Sequence, residues 1–341
     1  MRKILGTICL CFLLVAASAQ DNDPVKIVAK GVELHDKGDY KGAIREYEKA
    51  LSIDANSSLA NSEMATTYFA MKEYDKAIEY SDRVIAAHGR YLDNAYVTKG
   101  SAMDLKGKPQ EAIAIYKKGI EEYPKSYYLY YNLAMTSYSV KEYEQAEQAL
   151  EKGLRLKPGH ASSHLLMGFV MNDMGDRVKA LLALYNYLLL EPGTPRSKQA
   201  LALADQLMKR GVVHESEKKT SIYMPSPGGK DEFSGANFWL SMLEAGKNMK
   251  ENKKKSDCEL FMDNSKAFLG LLNTFKKDNA GFWWNYYADF YTALFKDKGR
   301  EETFGYIISA SWDDKKVNAW LKKNKSRVDG LAEWNDALVR K

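Results

Sequence analysis

From residue 24 to about residue 192, apolar positions recur three and four apart in runs of about a dozen residues, and short polar or glycine-bearing breaks divide the runs. That spacing predicts amphipathic helices joined by tight turns. The runs also come in pairs. Ala43, Ala77, Ala112, Ala146 and Ala180 follow one another at intervals of 34, 35, 34 and 34 residues, and Gly31, Ala65, Gly100, Ala134 and Gly168 lead them by 12 in every copy. Pro124, Pro158 and Pro192 close the last three copies, as residues that cannot continue a helix. Helices of this length are marginal alone in water, so each hairpin is expected to gain stability from its neighbours. The small residues explain how: Gly31 and Ala43 fall on facing helices where a larger side chain would separate the backbones. Tyr40, Tyr47, Tyr74, Tyr116 and Tyr143 are expected to fill the space around such contacts. The predicted fold is all-α.

The pattern stops after residue 211, and the segment 212–235, with Tyr223-Met224-Pro225-Ser226-Pro227-Gly228-Gly229, reads as a turn-rich linker. Helical periodicity returns over 238–250, 258–276, 282–295, 301–311, 315–323 and 328–339, without the earlier registers. All six tryptophans, at 239, 283, 284, 312, 320 and 334, fall in this part. Aromatics at helical spacing usually face inward, so residues 236–341 are expected to form an aromatic-rich helical domain around a core of those rings.

Gly31-x-x-Leu34, Gly38-Asp39-Tyr40-x-x-Ala43, Tyr47 and Ala50 resemble a tetratricopeptide repeat. The resemblance covers residues 24–192 in five copies, and residues 193–211, with Leu201, Leu203 and Leu207, resemble the helix that caps such arrays. Two copies depart locally: the second has Ser81 and Val84 where the family favours an aromatic and a small residue, and the third has an extra residue near 88–91. The resemblance implies a right-handed helical superhelix whose first helices line a concave groove for a partner. On this register the groove residues are Val28, Val32, Phe69, Val97, Tyr128, Tyr131, Met135, Tyr138, Leu165 and Phe169, with Val25 and His35 beside them. The lining is apolar and aromatic. Chaperone-binding members of the family grip an acidic C-terminus with Lys and Asn, whereas Val28 and Val32 stand at the matching positions here.

Residues 1–19 run from basic Met1-Arg2-Lys3 through an apolar stretch to Ala17-Ser18-Ala19, the pattern of a secretory signal peptide. Cys9 and Cys11 lie inside it without the small residues that precede a lipid-attachment cysteine, and Cys258 is then the sole cysteine, so no internal disulfide is expected. No later segment is apolar enough to span a membrane. The formal charge of +5 becomes +3 once Arg2 and Lys3 are removed, too little to indicate nucleic acid. The basic run at 250–255 reads as a solvated turn. The Gln20 start resembles secreted proteins of the Bacteroidetes group, and a periplasmic location is expected, with release outside the cell as the alternative.

No catalytic motif emerges. Gly228-Gly229-Lys230-Asp231 lacks the first Gly and the Ser or Thr of a phosphate loop. His160 and His164 have helical spacing but no third ligand, and His164 falls where an inward ring packs. Neither a metal nor a cofactor is expected. The function expected is an exported interaction scaffold that binds a peptide or protein of the envelope in the groove. The alternative is an envelope glycan-binding protein using the repeat-like helices and the C-terminal aromatics. Whether the C-terminal helices themselves occupy the groove is left open.

Overall fold

The computed structural model describes residues 23–216, 219–223, 232–276, 278–338 and 340. The expected signal peptide and the 228–231 segment lie outside them. The described residues form 17 helices and one small hairpin of strands, in two compact units, residues up to Glu142 and residues from Tyr143.

The first unit holds α1 (Pro24–Asp36), α2 (Tyr40–Ile53), α3 (Ser58–Ala70), α4 (Tyr74–Ala86), α5 (Leu92–Leu105), α6 (Pro109–Glu122) and α7 (Tyr127–Ser139). They alternate as first and second helices of successive hairpins. Ala43, Ala77 and Ala112 are fully buried on the second helices, and Ala65 and Ala134 on the first. At Gly31 an added Cβ would lie 2.3 Å from Cε1 of Tyr47, and at Gly100 it would lie 2.4 Å from the same atom of Tyr116. The ring therefore occupies the place a side chain would take. In the second hairpin Ala65 replaces the glycine and Ser81 stands where the ring would be, buried and donating to the Ala77 carbonyl at 2.8 Å. A methyl gained on one helix is matched by a ring lost on the other, which is why this departure from the repeat pattern packs.

Each hairpin turns through one residue with positive φ. These are Gly38 (82°), Lys72 (63°), Gly107 (77°), Lys141 (64°) and, in the second unit, Gly175 (86°), one per repeat on the same period. Glycine adopts this conformation freely, and the two lysines do not. The extra residue of the third copy is absorbed just before α5, where His88 and Tyr91 also take positive φ. The helices α6, α8 and α10 end at Glu122, Leu156 and Leu190, each two residues before a proline.

The second unit holds α8 (Tyr143–Leu156), α9 (Ala161–Asp173), α10 (Arg177–Leu190) and the cap α11 (Pro195–Lys209). It continues with β1 (Val212–Ser216), β2 (Lys219–Ile222), α12 (Ser234–Ala245), α13 (Asp257–Leu271), a π-helical turn (Trp283–Ala288), α14 (Asp289–Leu294), α15 (Lys298–Ile308), α16 (Lys315–Lys323) and α17 (Lys325–Ala337). Helix α10 is buried on every side, from Arg177 to Leu189, as the central helix of a core is. Arg177 donates to the carbonyls of Leu207 and Met208 at 2.7 Å each and to Ser241 at 2.9 Å, so one side chain ties α10 to the end of α11 and to α12. The stretch 212–235 is not wholly irregular, as its sequence suggested. Val212 pairs with Ile222 and Val213 with Ser221 in an antiparallel hairpin, whose strands of five and four residues are too short to show a clear alternation. Across the π-helical turn, Trp283 stacks on Tyr287 at 5.1 Å, and the widened turn buries Trp283, Trp284, Tyr286 and Tyr287 together.

Two substitutions test the contacts that set this packing. Gly100→Ala, which drives a methyl into the Tyr116 ring, is expected to lower the free energy of urea unfolding by about 1–3 kcal/mol. Lys72→Gly, which removes a side chain from a left-handed turn, is expected to raise it by about 0.5–1 kcal/mol. Opposite signs in parallel titrations are the diagnostic result.

Candidate functional site

The first helices of the first unit lie side by side and are linked by side-chain hydrogen bonds. His35 Nδ1 and Thr67 Oγ1 are 2.8 Å apart, Asn94 donates to Ser62 at 2.9 Å, Ser126 to Asp93 at 2.9 Å and Thr136 to Asp104 at 2.8 Å. The partners are 32 or 33 residues apart, one repeat less one to three positions, so the register that stacks the helices also aligns these pairs. This polar ladder fixes the neighbours while leaving the open side of each first helix to other residues.

The ten residues expected on that side divide as follows. Tyr128 and Met135 are exposed, at 52% and 43%. Val32, Phe69, Val97, Tyr131 and Tyr138 are half-buried on α1, α3, α5 and α7. Tyr128, Tyr131, Met135 and Tyr138 share one face of α7, since steps of three and four residues return to the same side of a helix. Leu165 and Phe169 are half-buried on α9, in the second unit. Val28 is a correction. At 2% exposure it belongs to the core cluster with Ala43, Tyr47, Ala60 and Met64, because its place on α1 points it toward the next hairpin. The run Tyr127 to Tyr131 splits as alternating faces require: Leu129 and Tyr130 are buried, and Tyr128 points outward.

Three further residues belong to this face. Leu105, at the end of α5, is 60% exposed. Glu63 on α3 is half-buried and lies within electrostatic range of Asp36 on α1; burial, and then Asp36, hold its carboxyl above the usual carboxylate range. All three were within reach of the repeat register, since Leu105 and Asp36 each follow their copy's small residue by five positions and Glu63 precedes Ala65 by two.

In the second unit the C-terminal helices are held to the second helices of the repeats. Trp283 Nε1 donates to Glu147 at 2.8 Å, Tyr286 to the Leu154 carbonyl at 3.3 Å and Tyr291 to the Leu182 carbonyl at 2.7 Å. Tyr185 and Ser265 meet at 2.8 Å. The cap α11 lies beside α9, where Arg196 donates to Ser162 at 3.2 Å and Arg210 to Asn172 at 2.6 Å. His164 is wholly buried, with Nε2 2.9 Å from the Pro158 carbonyl and Nδ1 2.7 Å from the Tyr287 hydroxyl. A carbonyl only accepts, so Nε2 carries the proton and Nδ1 accepts from Tyr287. Burial first, and then the charge of Arg340, push this imidazole down to about 3. Among the described residues, no three His, Cys, Asp or Glu side chains converge as metal ligands would, and no helix is long and apolar enough to cross a membrane.

A family model for the tetratricopeptide repeat matches residues 34–96 and 105–168. The chain carries tetratricopeptide repeats. It is 32% identical over 124 residues to a TPR repeat-containing protein of Methanocaldococcus jannaschii, across 36% of this chain and 22% of that one. It is 29% identical over 159 residues to a BBSome complex member of Bos taurus, across 47% of this chain and 30% of that one. The chain thus spans less than a third of either relative. The solved structure of Pseudomonas aeruginosa pilF has a similar fold, with a TM-score of 0.50, 22% identity, and coverage of 56% of this chain and 85% of that one. TPR arrays are protein-interaction scaffolds, and their stacked first helices supply extended binding surfaces.

The buried TPR histidine predicts a pH dependence. His164 stays neutral in the folded chain down to about pH 3, whereas in the unfolded chain it takes up a proton below about pH 6.5. Between these values the unfolded state binds more protons, so its share of stability is full above pH 6.5 and is lost on acidification at about 1.4 kcal/mol per pH unit. From pH 6.5 to 5 the expected loss is about 2 kcal/mol. Urea titrations of wild type and His164→Gln at both pH values check this: the wild type should show the steeper loss, and parallel losses would contradict it.

Proposed function

We propose that the protein is an exported scaffold that holds a peptide or protein segment of the cell envelope along the first-helix face of its repeats. The observation that carries this reading is the exposure of Tyr128 and Met135, together with Leu105 and Val25, at 52%, 43%, 60% and 63%, on the helices α1, α5 and α7. Large apolar side chains gathered on one face of an interaction module mark a binding surface. The TPR match and the relatives support the same class, one of them being by name a member of a complex. The basic, apolar and small-residue zones of residues 1–19 support export and a periplasmic address.

The glycan alternative asks for open aromatic platforms. None of the six tryptophans, all within the described residues, is exposed. Trp284 stacks on Phe233 at 4.4 Å and Trp320 on Tyr306 at 4.0 Å, so their faces are turned to other rings of the same chain.

The double substitution Tyr128→Glu and Met135→Glu should abolish co-purification of partners from the native envelope while shifting thermal unfolding by only a few degrees. An unchanged set of captured proteins, or a collapse in stability, would count against a binding role for these side chains. Sequencing the N-terminus of the native protein should read from Gln20, and a chain still carrying Met1 would exclude cleavage there.

A further inference from the structure

Helix α7 differs from every other helix of the first unit in what it shows to solvent. Its residues that reach the surface are four tyrosines, Asn132, Met135 and Ser139, and none of them is charged. Each of the other six helices presents charge; on α6, which precedes it, Glu111, Lys117, Lys118, Glu121 and Glu122 all stand exposed. Burial does not explain the difference, because only positions open to solvent are compared. The adjoining first helix α5 does carry charges, but each is engaged inside the chain. Asp93 accepts from Ser126 at 2.9 Å, Asp104 accepts from Thr136 at 2.8 Å, and Lys99 pairs with Asp82 at 2.5 Å. The bond between Thr136 and Asp104 also holds the end of α5 to α7, and Leu105 is exposed at that end. Tyrosine and methionine without lysine, aspartate or glutamate is the composition found at the buried centre of a protein–protein interface, rather than that of open surface.

We infer that the α7 face, with the end of α5, takes an uncharged apolar segment of a partner protein, with aliphatic or aromatic side chains against Leu105, Tyr128 and Met135 and no ionised group within the contact. The assignment rests on the groove reading above and adds which segment fits. A lysine or a carboxylate brought onto this surface is stripped of water and meets no opposite charge, an unfavourable step with no compensating pair. An apolar side chain instead gains the burial that Tyr128 and Met135 lack in the free chain. Exclusion of charged segments is then where the selectivity lies. From Tyr128 to Tyr138 the face runs about 15 Å along the helix, the reach of about five extended residues. A neutral glycan would share the lack of charge, but Leu105 and Met135 offer its hydroxyls little to bond with.

The test is selection of a phage-displayed library of random dodecapeptides on the full chain, followed by affinity measurement of the enriched peptides on wild type, Tyr128→Glu, Met135→Glu, Met135→Lys and Met135→Leu. Both positions are exposed, so the variants should unfold within a few degrees of the wild-type temperature. The expected result is enrichment of peptides that share an apolar run free of lysine, arginine, aspartate and glutamate. Tyr128→Glu and a charge of either sign at Met135 should each weaken them about tenfold, and Met135→Leu should leave them within about twofold. Binding should hold steady from about 0.05 to about 0.5 M salt. Charged peptides that lose affinity to one sign at Met135, gain it from the other and are released by salt would overturn the exclusion of charge and leave the groove reading standing. Peptides indifferent to every substitution, or no enrichment at all, would overturn both. A panel of neutral oligosaccharides is titrated in parallel; binding that Tyr128→Glu removes, without peptide enrichment, would give the face to a sugar and end the inference.

Discussion

The hairpins of Gly31, Gly100 and Gly168 each close around a contact in which one helix gives up its side chain so that the other can place a large one. A tyrosine ring at 0 or 1% exposure over Gly31 and Gly100 needs the two backbones close together, and only a residue without a Cβ permits it. The same contact runs in the opposite sense at Gly119, where an added Cβ would lie 2.8 Å from Cβ of Tyr96, on the first helix of that hairpin. At Gly168 the partner is Leu184, at 2.7 Å. The requirement is a sum of volumes and not a fixed pair of residues, and the second hairpin meets it with Ala65 and Ser81. Close packing of this kind fixes the helix pair to within a fraction of an ångström, and the rest of the surface inherits that precision.

The inheritance is visible in the ladder of side-chain hydrogen bonds across the first helices. A pair such as Thr136 and Asp104 can meet at 2.8 Å only if two helices one repeat apart keep constant spacing and phase. The interior sets that phase, and the ladder then satisfies polar groups that stacking would otherwise bury without partners. In the second unit Arg177 does comparable work at a helix end, meeting the last carbonyls of α11, groups that the helix's own amides leave under-satisfied.

The legibility of this structure follows the size of the physical signal. Helix number, order and pairing were plain because a small residue every 34 or 35 positions is a strong constraint repeated five times. The prolines marked the ends of α6, α8 and α10 to within two residues. Lys72 and Lys141 were not legible as left-handed turns, since nothing about lysine announces positive φ; only their period with Gly38, Gly107 and Gly175 does. The hairpin at 212–222 was lost because strands so short carry almost no alternation. The π-helical turn was lost because a run of aromatics looks alike at either pitch. Val28 was misplaced for a subtler reason: the register names the face of a first helix, but whether a position on that face is open depends on how closely the next hairpin lies. The polar ladder and the acid pair were within reach of the same register, had charged and hydroxylated positions been compared across copies as the apolar ones were.

What separates folding from binding in the first unit is where polar groups find their partners. Along the second helices, several acids meet bases on the same or the adjoining helix, as Glu79 meets Arg83 and Asp82 meets Lys99, and exposed pairs of this sort contribute little to stability. Along the first helices, hydroxyls and amides are satisfied across the repeat, Val28 is drawn inward, and what is left outside is of two kinds: apolar side chains with water over them, and two carboxylates with each other for company. Neither kind helps the fold. A half-buried acid beside another acid costs stability in proportion to its displaced titration, and exposed tyrosine and methionine forgo the burial that drives packing elsewhere in the chain. An array whose interior is matched to single methyl groups does not lack the means to remove them, for a lysine at either position would do so. That exposed apolar side chains such as Leu105, Tyr128 and Met135 stand on first helices held at fixed spacing by the interior is the argument for a partner outside the chain.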